Sequence, residues 1–350
     1  MRASTKKIHN KLQKLGKDMG FIAEQEVSTS LLSLRLPEAY QPRIDLMWSL
    51  EIDNRKREAI ACVTGREIKG LHHLPVVGIE VEGSGPSTKT MLSDLANIKT
   101  LGTPLGMLVV ATDKEKDIYR RAARAIRTMR FNLGNLNVFP LEAKWLDGLL
   151  KQKWPADVTH VKKPGRKKPR GGETLGWEKI TRKKLKKLGE SAGFIVAEPF
   201  IPQAQNAKFK EETARRSETM RHMWDSEKRS FKEIRKSRDY FTACEIDMAW
   251  LMPMPRALRQ MLETVSDMDP CLREHDILYP DIWDYVPVIG FELESGSGKH
   301  AGGALINLSS YCVIGVVHTP EGSGVRALNK KLETYVQALG LQNIFIGGVK

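Results

Sequence analysis

The chain has 350 residues, which at roughly 100–200 residues per domain predicts two domains. Its 41% hydrophobic content, with 7 Trp, 7 Tyr and 10 Phe, suffices for packed cores and excludes collagen-like and wholly disordered chains. The 56 Lys and Arg residues against 42 Asp and Glu give a net charge of +14. That surplus favours a polyanion as partner, meaning DNA, RNA or an anionic membrane surface.

The sequence predicts neither a membrane span nor a secretory leader. No apolar run approaches the roughly 18 residues that span a bilayer, and no apolar stretch follows the charged N-terminus. The cysteines are scattered without a C-x-x-C pair, at Cys62, Cys244, Cys271 and Cys312. This spacing indicates reduced thiols, so we expect a cytoplasmic protein.

The two halves of the sequence repeat each other. The matched segments are 12–22 with 185–195, 44–48 with 246–250, 75–82 with 287–294, 95–97 with 305–307, 109–112 with 316–319, and 133–139 with 339–345. Blocks that recur in the same order across both halves indicate a tandem duplication. We expect copy one at 1–156, a basic linker rich in Pro and Gly at 157–173, and copy two at 174–350, with insertions near 205–239 and 253–286.

Each copy shows the same order of predicted elements. In copy one, apolar spacing predicts helices at 5–19, 88–101 and 116–130. Strands are expected at 21–27, 44–50, 76–82, 105–111 and 137–139. The resulting order, αβββαβαβ, predicts an α/β domain built on one mixed sheet.

Three acidic residues return at matching positions of both copies. They are Asp45, Glu80 and Glu82 in copy one, and Asp247, Glu292 and Glu294 in copy two. The two glutamates lie two residues apart in a strand and so share a face, and the aspartate lies in the preceding strand. In a single copy this pattern is usually a solvent-facing strand, but its recurrence favours a functional cluster. Converging carboxylates require a cation, and oxygen ligands favour Mg²⁺ or Mn²⁺, which can promote phosphodiester hydrolysis.

An aspartate followed by E-x-E in a strand, inside an αβββαβ core, resembles the PD-(D/E)XK nuclease superfamily. The resemblance covers nearly all of both halves and implies a duplicated restriction-endonuclease-like fold. It implies the metal ligands Asp45, Glu80, Asp247 and Glu292. The last motif position, usually Lys in the family, is glutamate in both copies, which leaves open whether Glu82 and Glu294 act as ligands, as general bases or as neither.

Two lysines near the start of the following helix are further candidates. Lys89 and Lys299 could hold a phosphate oxygen or orient the attacking water, although a solvent-facing lysine is common at such a position. The Gly- and Ser-rich segment 83–90 lacks the glycine that precedes the lysine of a Walker loop. We therefore expect no nucleotide cofactor.

Together, the repeated acids, the basic charge and the resemblance predict a Mg²⁺-dependent endodeoxyribonuclease of restriction or defence type. Two sites related by an internal pseudo-twofold axis would cut both strands of double-stranded DNA, in a monomer or a homodimer. Three alternatives stay open: a non-catalytic nucleic-acid-binding protein, favoured by the missing lysine; a nicking enzyme with one working site; and a structure-specific repair or junction nuclease.

Overall fold

A computed structural model describes residues 3–28, 43–65, 71–83, 88–111, 117–133, 138–158, 176–200, 246–268, 285–294, 301–320, 325–341 and 343–347. Within these ranges the protein is mixed α/β, with two five-stranded mixed sheets and nine α-helices. The expected mixed α/β class is therefore confirmed. None of the described helices is both long and apolar enough to cross a membrane.

The first half follows the order expected from its sequence, with one additional helix between the second and third strands. Its elements are α1 (Ala3–Asp18), β1 (Ile22–Ser28), β2 (Arg43–Glu51), α2 (Asn54–Thr64), β3 (His73–Glu82), α3 (Thr88–Leu101), β4 (Leu105–Val110), α4 (Asp117–Leu133), β5 (Val138–Glu142), a 3₁₀ turn at Ala143–Trp145 and α5 (Leu146–Leu149).

Helix α2, which sequence analysis missed, has clear signals at both ends. The side chain of Asp53 accepts a hydrogen bond from the backbone N–H of Lys56 at 2.9 Å and so caps the N-terminus. Gly65 ends the helix with a φ of 71°, in the left-handed region that glycine adopts without strain. Only three helix residues, Ala59, Ile60 and Val63, are buried, so the apolar periodicity is too weak to indicate a helix.

The second half repeats this arrangement. Its elements are α6 (Gly176–Ser191), β6 (Ile195–Ala197), β7 (Met248–Pro253), α7 (Arg256–Met268), β8 (Tyr285–Leu293), α8 (Ala301–Tyr311), β9 (Ile314–His318), α9 (Val325–Ala338) and β10 (Ile344–Gly347). Helix α7 lies within the segment 253–286 that was expected to be an insertion, and it occupies the place that α2 takes in the first half. The segment 205–239 and most of the linker 157–173 lie outside the described residues.

The two sheets have the same topology. Their strand orders are β1-β2-β3-β4-β5 and β6-β7-β8-β9-β10, and in each the first three strands are antiparallel and the last three parallel. Each sheet also has a register shift in the same place, after Trp48 in β2 and after Trp250 in β7. A proline adjoins each irregularity (Pro75 and Pro287), where a missing N–H disturbs the ladder least.

One helix of each half packs closely against a buried tryptophan of the sheet. A Cβ atom added to Gly16 would lie 2.5 Å from Nε1 of Trp48, and one added to Gly189 would lie 2.5 Å from Nε1 of Trp250. Only glycine allows this approach, so both halves require it at this point of the helix. In the first half, α3 and α4 cover the opposite face of the sheet with a separate apolar cluster. The face between β3 and α3 holds the acidic residues.

Candidate functional site

The structure brings together the three predicted acids of the first half, near the C-terminal end of β3. In the antiparallel pairing of β2 and β3, Leu46 lies opposite Ile79, which places Asp45 beside Glu80. Glu80 and Glu82 are 5% and 8% exposed, whereas the Asp45 side chain is 32% exposed. The cluster is therefore buried within the protein and reaches solvent through the aspartate.

Backbone and side-chain hydrogen bonds hold Asp45 and Glu80 in position. The N–H of Val81 donates to Oδ2 of Asp45 at 2.8 Å, and the N–H of Asp45 donates to Oε2 of Glu80 at 3.2 Å. The amide of Asn97, in α3, donates to Oε1 of Glu80 at 3.4 Å. The position of these two carboxylates thus follows from the strand pairing and from one residue of α3.

A histidine of α1 also faces the cluster. Nε2 of His9 lies 3.7 Å from Oδ2 of Asp45, and the residue is fully buried. Neither of its ring nitrogens has a hydrogen-bond partner among the described residues. Oε1 of Glu82 is likewise buried without such a partner. Two buried polar groups at one site, each with hydrogen-bonding capacity unused, indicate a position prepared for a polar ligand.

A fourth carboxylate, which sequence analysis missed, joins the cluster from α3. Asp94 forms a hydrogen bond with Glu82, which requires one of the two carboxyl groups to carry a proton. The matched segments 95–97 and 305–307 place Ala304 at the corresponding position of the second half. Recurrence in both halves identifies the other acids but cannot identify Asp94, because its counterpart is an alanine.

Burial and nearby negative charges raise the pKa of three carboxyl groups in the cluster. Burial, followed by the charges of Asp45 and Asp94, raises the pKa of Glu80 to about 9. Burial, the hydrogen bond to Asp94 and the nearby charges raise the pKa of Glu82 to about 9 as well. Burial also raises the pKa of Asp94. At neutral pH Glu80 and Glu82 are therefore favoured in their protonated forms unless a cation compensates their charge.

The first-half cluster offers oxygen ligands of the type that a hard divalent cation binds. Their present arrangement, however, does not form a metal site. Four carboxylates supply only oxygen ligands, as Mg²⁺ prefers. Yet within the described ranges no group of three or more His, Cys, Asp or Glu side chains is arranged so that it could hold a metal ion. Binding would therefore require loss of the bound protons and rotation of carboxylates that now accept hydrogen bonds from the protein.

The second half places its aspartate in the same way. The N–H of Leu293 donates to Oδ2 of Asp247 at 2.8 Å, as Val81 does to Asp45. Glu292 and Glu294 are partly buried. Burial, together with the charge and hydrogen bond of Asp247, raises the pKa of Glu292 well above its ordinary value.

An arginine distinguishes this second cluster from the first. Nη2 of Arg182 donates to Oδ1 of Asp247 at 2.7 Å, and Nη1 donates to the backbone carbonyl of Asp247 at 3.1 Å. The same guanidinium contacts Glu178 at 2.7 Å and lies 3.7 Å from Glu198. Burial opposes its charge, but Asp247 and Glu178 offset that effect and the pKa of Arg182 is raised. The ligands of this half do not fit a metal ion, because the guanidinium of Arg182 already binds Asp247.

Of the two predicted lysines, the structure describes only Lys89. Lys89 is exposed in the first turn of α3, and none of the described contacts of the first-half cluster involves it. Lys299 lies outside the described residues. Glutamate therefore stands in both copies where the resembled family has lysine, and the structure supplies no lysine from elsewhere within the described residues.

Comparison of the chain with family models, with curated proteins and with solved structures finds no match. The functional argument therefore rests on the residues of this chain.

Proposed function

We propose that the chain is a metal-dependent DNA endonuclease whose working site is the first-half cluster of Asp45, Glu80, Glu82 and Asp94. The observation that carries this proposal is a cluster of four carboxyl groups in which Glu80 and Glu82 are buried and have pKa values raised to about 9. Such a cluster is costly for folding alone and becomes useful when a divalent cation enters it. Mg²⁺ in a carboxylate site promotes attack by water and stabilises the charge that develops on a phosphodiester.

The side chains divide the work according to their contacts. Asp45 and Glu80 are the ligands, because the pairing of β2 with β3 places them side by side and Asp45 reaches solvent. Once binding of a cation has released the proton of Glu82, this carboxylate would accept a proton from the attacking water, because its Oε1 has no hydrogen-bond partner in the described structure. Asp94 holds the other side of Glu82 and provides a further carboxylate to the ion.

The charge of the chain supports double-stranded DNA as the substrate. A net charge of +14 favours binding to a phosphate backbone, and helix α1, which carries His9, exposes lysines on its outer surface. These residues are Lys6, Lys7, Lys14 and Lys17. Positive charge on the helix that carries His9 favours the approach of a phosphate to the carboxylates.

Cleavage of supercoiled plasmids of varied sequence tests this function. With Mg²⁺ the wild-type protein should convert the plasmid to a cut form, and a chelator should prevent it. Asp45→Asn and Glu80→Gln should reduce the rate by about a hundredfold or more, by removal of ligands. Glu58→Gln, at an exposed position of α2, should keep the wild-type rate and serves as the matched control. Absence of cleavage in both Mg²⁺ and Mn²⁺ would overturn the proposal.

The second candidate is a nucleic-acid-binding protein without catalysis. It is favoured by the absence of a lysine from the described contacts of the acid cluster and of an arranged metal group from the described residues. On this alternative, labelled duplex DNA binds with a salt-dependent affinity, and the Asp45→Asn variant binds as well as the wild type. Binding without cleavage by the same preparation would select this alternative.

A further inference from the structure

In the second half, an alanine and an arginine replace two residues of the first-half cluster. Ala304 stands where the first half has Asp94, and Arg182 stands where it has His9. The helix position is the same, because segments 12–22 and 185–195 match without a gap. Both side chains face the conserved aspartate, at 3.7 Å from His9 to Asp45 and at 2.7 Å from Arg182 to Asp247.

Two residues that face Arg182 are acidic, whereas their counterparts in the first half are uncharged. Glu178 and Glu198 replace Thr5 and Gln25 at the corresponding positions. Nη2 donates to Glu178, and Nη1 lies near Glu198, so the guanidinium is surrounded by three carboxylates. Residues 178, 182 and 198 all differ from their counterparts in the first half, and all three take part in the same ion-pair network. These differences indicate that the network itself is a feature of the second half.

The network is partly shielded from water. The side chains of Arg182 and Glu178 are each 20% exposed and that of Asp247 is 29% exposed. Loss of one partner from a shielded pair leaves an uncompensated charge, whereas loss of both is tolerated better. A divalent cation at Asp247 would have to expel the guanidinium from all of these contacts.

From these contacts we infer that Arg182 is a built-in counter-ion that takes the place of a metal ion in the second half. The chain then binds a divalent cation through its first half only. Insofar as the proposed function holds, this makes the protein an enzyme that cuts one strand per binding event. The acids of the second half serve to hold α6 against the sheet.

Counting bound Mn²⁺ on the full chain by electron paramagnetic resonance tests the first consequence. We expect one ion per chain, lost in Asp45→Asn and retained in Asp247→Asn. Two ions in the wild type, one of them lost in Asp247→Asn, would overturn the inference while leaving the proposed function intact. If no ion binds, the proposed function fails, and the ion pair between Arg182 and Asp247 is then tested by the thermal stability of the protein.

Thermal unfolding of the full chain makes that judgement without any metal. Arg182→Gln should lower the melting temperature by several degrees. The double variant Arg182→Gln/Asp247→Asn should lower the melting temperature by less than the sum of the decreases of the two single variants. Lys183→Gln, exposed on the same helix, is the control. An Arg182→Gln melting temperature equal to that of Lys183→Gln would overturn the inference.

Discussion

Asp45 accepts a hydrogen bond at 2.8 Å from the backbone N–H of Val81, the residue between the two buried glutamates of β3. The carboxylate is thereby fixed beside Glu80 and Glu82 by the strand pairing itself. The second half repeats the relationship between Asp247 and the N–H of Leu293, at the same distance. The corresponding strands of the two halves thus place the aspartate in the same way, and the helices that face it decide what it binds.

The stability of the protein should fall as the pH rises. Glu80 and Glu82 have a pKa of about 9 when folded against 4.5 as the ordinary value, so the folded state retains protons that the unfolded chain releases. Their stabilising effect is complete below about pH 4.5 and is lost as the pH rises toward 9. For Glu80 the slope can reach about 1.4 kcal/mol per pH unit. Urea unfolding at pH 5.5, 7 and 8.5 measures how the free energy of unfolding changes with pH. Glu80→Gln should reduce this change, whereas Glu58→Gln should leave it as in the wild type.

Mg²⁺ should stabilise the protein more at pH 8.5 than at pH 5.5. The ion must compete with the protons on Glu80 and Glu82, which are held more tightly at low pH. At a hundred times its dissociation constant, Mg²⁺ should add about 2.7 kcal/mol. The melting temperature with and without Mg²⁺ at the two pH values measures this. An equal shift at both, or a shift that survives in Asp45→Asn, would contradict the assignment of the ligands.

Asp94→Ala should leave the fold intact and weaken the site. The second half already has alanine at the corresponding position, Ala304, so the fold accepts this residue there. Without the hydrogen bond and charge of Asp94, the pKa of Glu82 should move down toward its ordinary value. We expect Mg²⁺ affinity to fall by about tenfold, as for the loss of other groups that support metal ligands. Titration of Mg²⁺ by calorimetry measures it, and unchanged affinity would remove Asp94 from the site.

Gly16→Ala should destabilise the protein because its Cβ would lie 2.5 Å from Nε1 of Trp48. Overpacking of this kind costs about 1–3 kcal/mol. Gly148→Ala is the matched control, since a Cβ there meets nothing within 4 Å. Urea unfolding should show a loss for the first variant and none for the second. Equal stability of the two would show that α1 is not held at this distance from the sheet.

Most of the first-half fold could be predicted from sequence because its strands are short apolar segments and its helices have one apolar face. The acids could be found because they recur. Asp94 could not, since recurrence excludes a residue whose counterpart is Ala304. Arg182 could not either: it precedes Lys183 and Lys184 in a basic helix, and nothing local separates a buried cation from exposed ones. Its role depends on the contact with Asp247, 65 residues away in the chain.

Plasmid nicking by Asp45→Asn and Asp247→Asn, compared under one set of conditions with Mg²⁺, tests the central claim most directly. The account predicts that the wild type produces nicked circles, that Asp45→Asn produces none, and that Asp247→Asn nicks like the wild type once corrected for the folded fraction. Linear product from the wild type that becomes nicked circles in Asp247→Asn would show two working sites and contradict the account.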